Sequence, residues 1–319
     1  MHSEEGNPTP IMVSAGFFAL FALVLQNTAL VLLMKLSYRS NAVEYSATTA
    51  VLSSEMLKLL ICFLQVCCSK GQQQATQLVL SVNSEVKLVL PCILYVIQNN
   101  LLYIAIDNLD TTVYVVCSQG KILTSALFSY ILLGKVLNKQ QVLALVILVF
   151  GISCTQVTEG GVDAGAERGD QFLGLLAVAG ASFTSGFAGV YLEKIYKDKS
   201  KTIWERNFLL SIFSLPFCIF SVVTSSESTL CNVFHGFDSV VLLVVVFHAL
   251  GGFVIAFVMR YASTLLKCFA VSVSICLCML ISKFAQEQSI LLNDVVGVIL
   301  VNFSIFIYSG AGSKIFGKK

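Results

Sequence analysis

Apolar residues in this chain come in long blocks, at about 11–34, 46–68, 86–106, 110–133, 137–157, 171–193, 205–223, 239–258, 264–284 and 289–309. The breaks between them are short and carry charge or turn residues, as in Lys35 to Glu44, Lys70 to Gln77, Gly134 to Lys139 and Thr158 to Asp170. Each block is close to the ~20 residues a helix needs to cross a bilayer. Strands of an outer-membrane barrel would alternate apolar and polar residues over ~10 positions, and these blocks do not. The pattern predicts an all-α polytopic membrane protein with ten transmembrane helices. The tightest breaks, near 107–110 and 260–264, predict antiparallel neighbours.

Composition sharpens this. Of 319 residues 56% are hydrophobic and 12% charged, about half the ~25% charged content of soluble domains. A water-soluble core cannot hide so many apolar side chains behind so few polar ones. The net charge of +2, without a basic stripe interleaved with aromatics, excludes a nucleic-acid partner and a disordered chain. The lipid bilayer is the partner the composition requires. The eleven cysteines lie mostly in or beside apolar blocks and make no metal-ligand spacing with the three histidines, so they read as small packing residues, with no metal or cofactor. Met1 to Pro10 lacks the basic n-region of a signal peptide, so the first block reads as a retained helix.

Numbering the loops by the helices they join sorts the basic residues by face. Setting aside Lys58, Lys121 and Lys267 as candidates for burial, thirteen Lys and Arg fall on the face that holds both ends. Four, Lys35, Arg39, Arg168 and Lys283, fall on the other. The positive-inside rule then puts both termini in the cytosol, in accord with an even helix count. The expected organisation is a tail at 1–10, a five-helix repeat at 11–157, a lumenal loop at 158–170, a second repeat at 171–309 and a tail at 310–319. Two tandem units of five helices must insert in opposite directions, which gives two inverted repeats and a substrate site at mid-membrane.

Ionisable side chains inside such helices are costly and mark function by default. Lys121 is the sharpest case, roughly 16 Å of helix from either end of its block. No acid lies one or two turns away on that helix, so it calls for a ligand anion, an ion pair with Glu55, or neutralisation. Glu55 and Lys58 stand at i, i+3 and form either a self-contained pair or part of a cavity. Lys267 opens the ninth block, as a cytosolic anchor or as a second cation in that cavity.

Neutral polar groups gather on the same helices. Gln98, Asn99 and Asn100 place three amides mid-helix, where burial demands partners. Tyr114, two turns before Lys121, is expected on its face. Ser185 and Gly186, in the stretch Ser185 to Tyr191, offer either close helix packing or a thin wall that a ring approaches. Asn207 and Ser211 are one turn apart in the seventh block, and Gly251-Gly252 is a thin point in the eighth. His248 reads as an interior histidine, and Asn302-Phe303-Ser304 matches a glycosylation sequon out of reach inside the last helix.

Taken together, Gln98-Asn99-Asn100, Asn108-Leu109-Asp110, Tyr114 and Lys121 to Phe128 resemble the nucleotide-sugar transporters of the drug/metabolite transporter superfamily. More narrowly, they resemble the Golgi branch for UDP-galactose, UDP-N-acetylglucosamine and CMP-sialic acid. Thr48 to Val51, Glu55 with Lys58, Ser185 to Tyr191, Glu193-Lys194, Trp204, Arg206-Asn207 and Lys267 with Phe269 match further family motifs in order, over about residues 17 to 309. Tyr114 to Lys121 departs from the family's usual Tyr-Gln-x-Thr-Tyr-Gln-Leu-Lys, and Ser263-Thr264 replaces an expected Asp-Asn pair.

The resemblance implies ten helices and exchange of a nucleotide-sugar for the nucleoside monophosphate by alternating access in the Golgi membrane, with the ER membrane as the other location. It implies Lys121 and Lys267 at the phosphates, and Asn99, Asn100, Tyr114, Ser185, Gly186, Asn207 and Ser211 around nucleoside and sugar. The expected cargo is a UDP-sugar, with CMP-sialic acid as the alternative within the family. An intramembrane enzyme would need a convergent base or metal set, which the sequence does not offer.

Overall fold

The computed structural model describes residues 10–40, 45–70, 81–109, 111–156, 170–198, 200–224, 234, 236–285 and 291–316. Among them every apolar block is helical and no strand occurs. The helices are α1 (Pro10–Ser40), α2 (Ala47–Lys70), α3 (Val89–Asn108), α4 (Thr111–Ser118), α5 (Gly120–Leu133), α6 (Lys139–Gln156), α7 (Gln171–Lys197), α8 (Ile203–Thr224), α9 (Ser239–Tyr261), α10 (Thr264–Ala285) and α11 (Leu292–Phe316), with a 3-10 turn at Ser81–Leu88. Eight segments are long and apolar enough to cross a membrane, and α6 and α11 carry shorter apolar stretches, Lys139–Thr155 and Leu292–Tyr308. Many outward side chains are large and apolar, among them Phe18, Phe172, Phe284 and Phe306, as a lipid solvent allows. Of the expected loop at 158–170 only Asp170 lies within the described residues, and α11 runs to Phe316, into the stretch expected as a tail.

One departure from the block pattern matters. The fourth block is not one helix: it breaks at Gln119 into α4 and α5. Across the joint the bonds tighten to i→i+3, with Gln119 N donating to Val116 O at 3.2 Å and Ile122 N to Gln119 O at 2.9 Å. By packing, the chain falls into two compact units. One unit is Met1–Cys92 with Ile195–Ser263, and the other is Ile93–Lys194 with Thr264–Lys319. Each takes helices from both halves of the chain.

In the first unit α1 packs on α9, and α2 on α8 and α9. Close approach needs small residues: a Cβ on Gly16 would sit 3.0 Å from the Tyr261 carbonyl oxygen. Caps fix where helices start. Thr202 and Glu205 form a reciprocal capping box before α8, with Glu205 Oε2 accepting from Thr202 N at 2.7 Å. Asp238 caps α9 by accepting from Val241 N at 2.7 Å. Two arginines clasp the end of α7. Arg260 donates to the carbonyls of Tyr196 and Asp198, and buried Arg206 to the Asp198 carbonyl and carboxylate. The hydroxyl and amide of Ser200, with Arg206, hold the Asp198 carboxyl down at about 2.

In the second unit α6 lies against α11, where a Cβ on Gly151 would meet Val301 N at 2.9 Å and one on Gly297 the Gly151 oxygen at 2.7 Å. Ile122, Leu145, Leu148, Ile152, Leu265, Phe269 and Val301 form its core. Asp170 caps α7 through Phe172 N and Leu173 N. Gly134, at φ 66°, ends α5, and the Lys135 amide after it returns to Ser129 O at 3.2 Å. Lys283, near the end of α10, makes a buried ion pair with Asp294 in the first turn of α11.

Candidate functional site

The stretch Ser182 to Glu193 of α7 is the spine of the second unit. At Gly186 a Cβ would lie 2.4 Å from Thr124 Oγ1 and 2.8 Å from Ser125 N, so α5 crosses α7 backbone to backbone there. Thr124 Oγ1 donates to Ser182 O at 2.7 Å and ties the crossing. One turn on, a Cβ at Gly189 would lie 3.1 Å from Thr264 Cγ2, and Thr264 Oγ1 donates to Gly189 O at 3.1 Å, which fixes the start of α10. Of the two readings of this small-residue stretch, close packing is the one Gly186 fulfils. Glycine is required because any side chain would part the helices.

That packing brings Lys121 of α5 and Lys267 of α10 to one cavity of about 170 Å³. Gln119, Ser125, Ser185, Thr264 and Ser272 add polar groups to its wall. Both lysines are half-buried, and among the described residues neither has a carboxylate at ion-pair distance. No acid or histidine lines the cavity among those residues.

Several wall hydroxyls spend their proton on backbone. Ser125 donates to Lys121 O at 2.7 Å and Ser272 to Cys268 O at 2.8 Å. Lys121 and Lys267 contribute the charged donors of this lining, up to three N–H bonds each, beside the amide of Gln119 and the hydroxyl of Ser185. The cavity's volume, below the ~300–1,000 Å³ of sites that enclose a whole drug-sized ligand, suits one charged group of a larger molecule.

The remaining sequence candidates part company. Tyr114 does not share the Lys121 cavity, because the joint at Gln119 interrupts the helical register that put them on one face. Tyr114 packs near Leu101, Leu109, Ala105 and Ala177, and with Asn99, Leu102, Tyr103 and Ile106 lines a second cavity of about 310 Å³. Asn99 and Asn100 are exposed rather than buried mid-helix, and Asn100 Nδ2 donates to Val96 O at 2.9 Å on its own helix. Of the three amides only Gln98 buries an atom without a hydrogen-bond partner among the described residues, its Oε1.

In the first unit Glu55 is satisfied without Lys121. Lys58 Nζ lies 2.5 Å from Glu55 Oε1, and Ser211 and Ser214 of α8 donate to Oε2 at 3.2 and 3.0 Å. Gly252 makes room for the Lys58 chain, since a Cβ there would meet Lys58 Cδ at 2.7 Å. Asn207 is buried, with Nδ2 donating to Ile203 O at 2.9 Å.

Glu193 enters the sequence reading only as part of the Glu193-Lys194 motif, without a role. Its side chain is fully buried, Lys135 Nζ lies 2.6 Å from Oε1, and Thr264 N donates to Oε2 at 2.7 Å. Its position at the very end of an apolar block, followed by Lys194, makes it look like a surface charge.

A family profile described as nucleotide-sugar transporter matches residues 13–309. The human UDP-N-acetylglucosamine transporter is 40% identical over 92% of this chain and 94% of its own. A Caenorhabditis elegans UDP-galactose/UDP-N-acetylglucosamine transporter is 35% identical over 92% and 82%, and the Schizosaccharomyces pombe UDP-galactose transporter 34% identical over 93% and 88%. A solved crystal structure matches at TM-score 0.66 and 14% identity, covering 93% of this chain and 97% of that one, a likeness of fold alone. With its profile match running almost end to end and these relatives 34–40% identical over nine-tenths of its length, the chain belongs to the nucleotide-sugar transporter family.

Proposed function

We propose that the chain is a Golgi antiporter that carries a UDP-sugar, UDP-N-acetylglucosamine or UDP-galactose, from cytosol to lumen in exchange for the nucleoside monophosphate. The observation that carries this reading is the pair Lys121 and Lys267 on one cavity, without a carboxylate at ion-pair distance among the described residues. A phosphate is the anion that fits: small, multiply charged, and able to accept from both ammonium groups. The relatives named above handle UDP-sugars, which favours uridine over cytidine as the base.

In this reading Lys121 and Lys267 hold phosphate, and Ser185 sits beside them. Tyr114 and Asn99, on the second cavity of the same unit, are the candidates for base or sugar. Gly186, Asn100, Asn207, Ser211, Glu55 and Lys58 serve the scaffold, as their contacts within helices and across helix crossings support. Ten crossings arranged as two inverted five-helix repeats, with both termini cytosolic, give a carrier that alternates access and reorients best when occupied.

Purified protein in liposomes preloaded with UMP should take up UDP-sugars faster than in liposomes without UMP, and faster than it takes up CMP- or GDP-sugars. Equal rates with and without internal UMP would overturn exchange, and a preference for CMP-sialic acid would overturn the UDP assignment.

A further inference from the structure

The cavity's two cations need a reason not to be quenched from within. Glu193 is the carboxylate placed to do it. It stands one turn after Gly189 on α7, and the Lys267 ammonium lies 3.9 Å from where a Cβ of Gly189 would be. Glu193 nevertheless turns both oxygens elsewhere, Oε1 to Lys135 at 2.6 Å and Oε2 to the amide of Thr264 at 2.7 Å. That amide belongs to the first residue of α10, one of the helix-start donors left without an intrahelical acceptor. Lys267 follows three residues later on the same side of the helix.

We propose that Lys135 and Glu193 are positioning residues for the phosphate site: Glu193 anchors the start of α10 so that Lys267 reaches the cavity, and Lys135 neutralises Glu193 so that it does not pair with Lys267. The inference rests on reading the cavity as the phosphate site. The geometry gives Lys135 a specific task. It follows the left-handed Gly134 that ends α5, in a turn whose path is fixed by two backbone hydrogen bonds to Tyr130 and Ser129. The ammonium is therefore delivered to the far oxygen of Glu193 from the end of α5, the helix that carries Lys121 in its first turn. The ionisable side chains of this group are Lys121, Lys267, Lys135 and Glu193. With Lys135 present, the Lys135–Glu193 pair is neutral and both cavity lysines keep their charge for a ligand. Without it, an uncompensated carboxylate stands beside Lys267 and competes with phosphate for it.

The test compares UMP with uridine, which lacks the phosphate, on purified full-length protein. Lys135→Met should weaken UMP binding roughly tenfold, the scale of one uncompensated charge near a partly desolvated site, and leave uridine binding unchanged. Adding Glu193→Gln to Lys135→Met should restore UMP binding, because the amide oxygen still accepts from Thr264 and the competing charge is gone. Unchanged UMP binding in Lys135→Met would overturn the proposal. So would parallel loss of UMP and uridine, or a double variant no better than the single one, since a purely structural pair predicts both. Should Lys135→Met fail to fold, Glu193→Gln alone decides: UMP affinity at or above that of the unaltered protein supports the proposal, and a drop specific to UMP overturns it. Absence of UMP binding in the unaltered protein would instead overturn the function proposed above, and this inference with it.

Discussion

In the first compact unit Glu55 and Lys58 meet at 2.5 Å on one helix, and two serines of α8 complete the carboxylate. In the second, Lys121 and Lys267 come from different helices to one cavity, while the buried carboxylate of that unit, Glu193, is bound by Lys135 and a backbone amide. Both arrangements place charge in apolar surroundings, which is tolerated only when it is paired or functional. The first is closed: its charges cancel inside the helix pair. The second is open: among the described residues neither lysine on the cavity wall has a carboxylate at ion-pair distance. A charge inside a membrane helix therefore says little about binding until its partners are known.

The widest separation between the two regions should come from Lys121→Ala. A charge-assisted contact in a partly desolvated site contributes about 1.5–3 kcal/mol, or roughly 10- to 150-fold in affinity. UMP binding should fall by that factor while the melting temperature holds. Lys121→Arg should recover only part, because a planar guanidinium does not replace a compact ammonium. A lowered melting temperature with intact UMP binding would make Lys121 a scaffold residue and erase the contrast.

Lys58→Met should show the reverse signature. It leaves Glu55 with two hydroxyls and no cation, at a cost of about 1–2 kcal/mol. That is below the ~3–5 kcal/mol of a fully buried pair, because the two side chains keep 15% and 16% exposure. Thermal unfolding measures it, and Glu55→Gln in the same background should recover part of the loss. A drop in UMP affinity without a drop in stability would move the pair into the binding site.

Gly186→Ala acts on binding only indirectly. The new methyl meets Thr124 Oγ1 and the backbone at Ser125 N, and overpacking at this crossing should cost about 2–3 kcal/mol of stability. Because the displaced turn carries Lys121, UMP affinity should fall by a few-fold as well. An unchanged protein would show that α5 and α7 can part without disturbing the cavity.

Much of this was legible from residue type and spacing. Blocks of ~20 apolar residues leave a chain in lipid little choice but helix, since each backbone polar group must be satisfied internally. Lys121 stood out because no acid shares its helix. The break at Gln119 did not, since Ser118-Gln119-Gly120 is a three-residue lapse inside an otherwise apolar block, and apolar patterning averages over it. That lapse misplaced Tyr114, whose register depended on an unbroken helix. The convergence of Lys121 and Lys267 depends on where α7 lets α5 and α10 approach, a tertiary property of Gly186 and Gly189. Glu193 and the pair Lys283–Asp294 were hidden for a related reason. Both sit at block ends, where charge is ordinary, and only packing shows that they are buried.

The joint at Gln119 has one more consequence. By starting a new helix at Gly120 it places Lys121 in the first turn of α5, and Lys267 likewise stands in the first turn of α10. Helix starts carry roughly half a positive charge from aligned peptide dipoles, and there a cation is the disfavoured sign. At α10 that field is met by Glu193, whose carboxylate accepts from Thr264 N, so the cost of holding Lys267 at a helix start is set by the same side chain that anchors the helix.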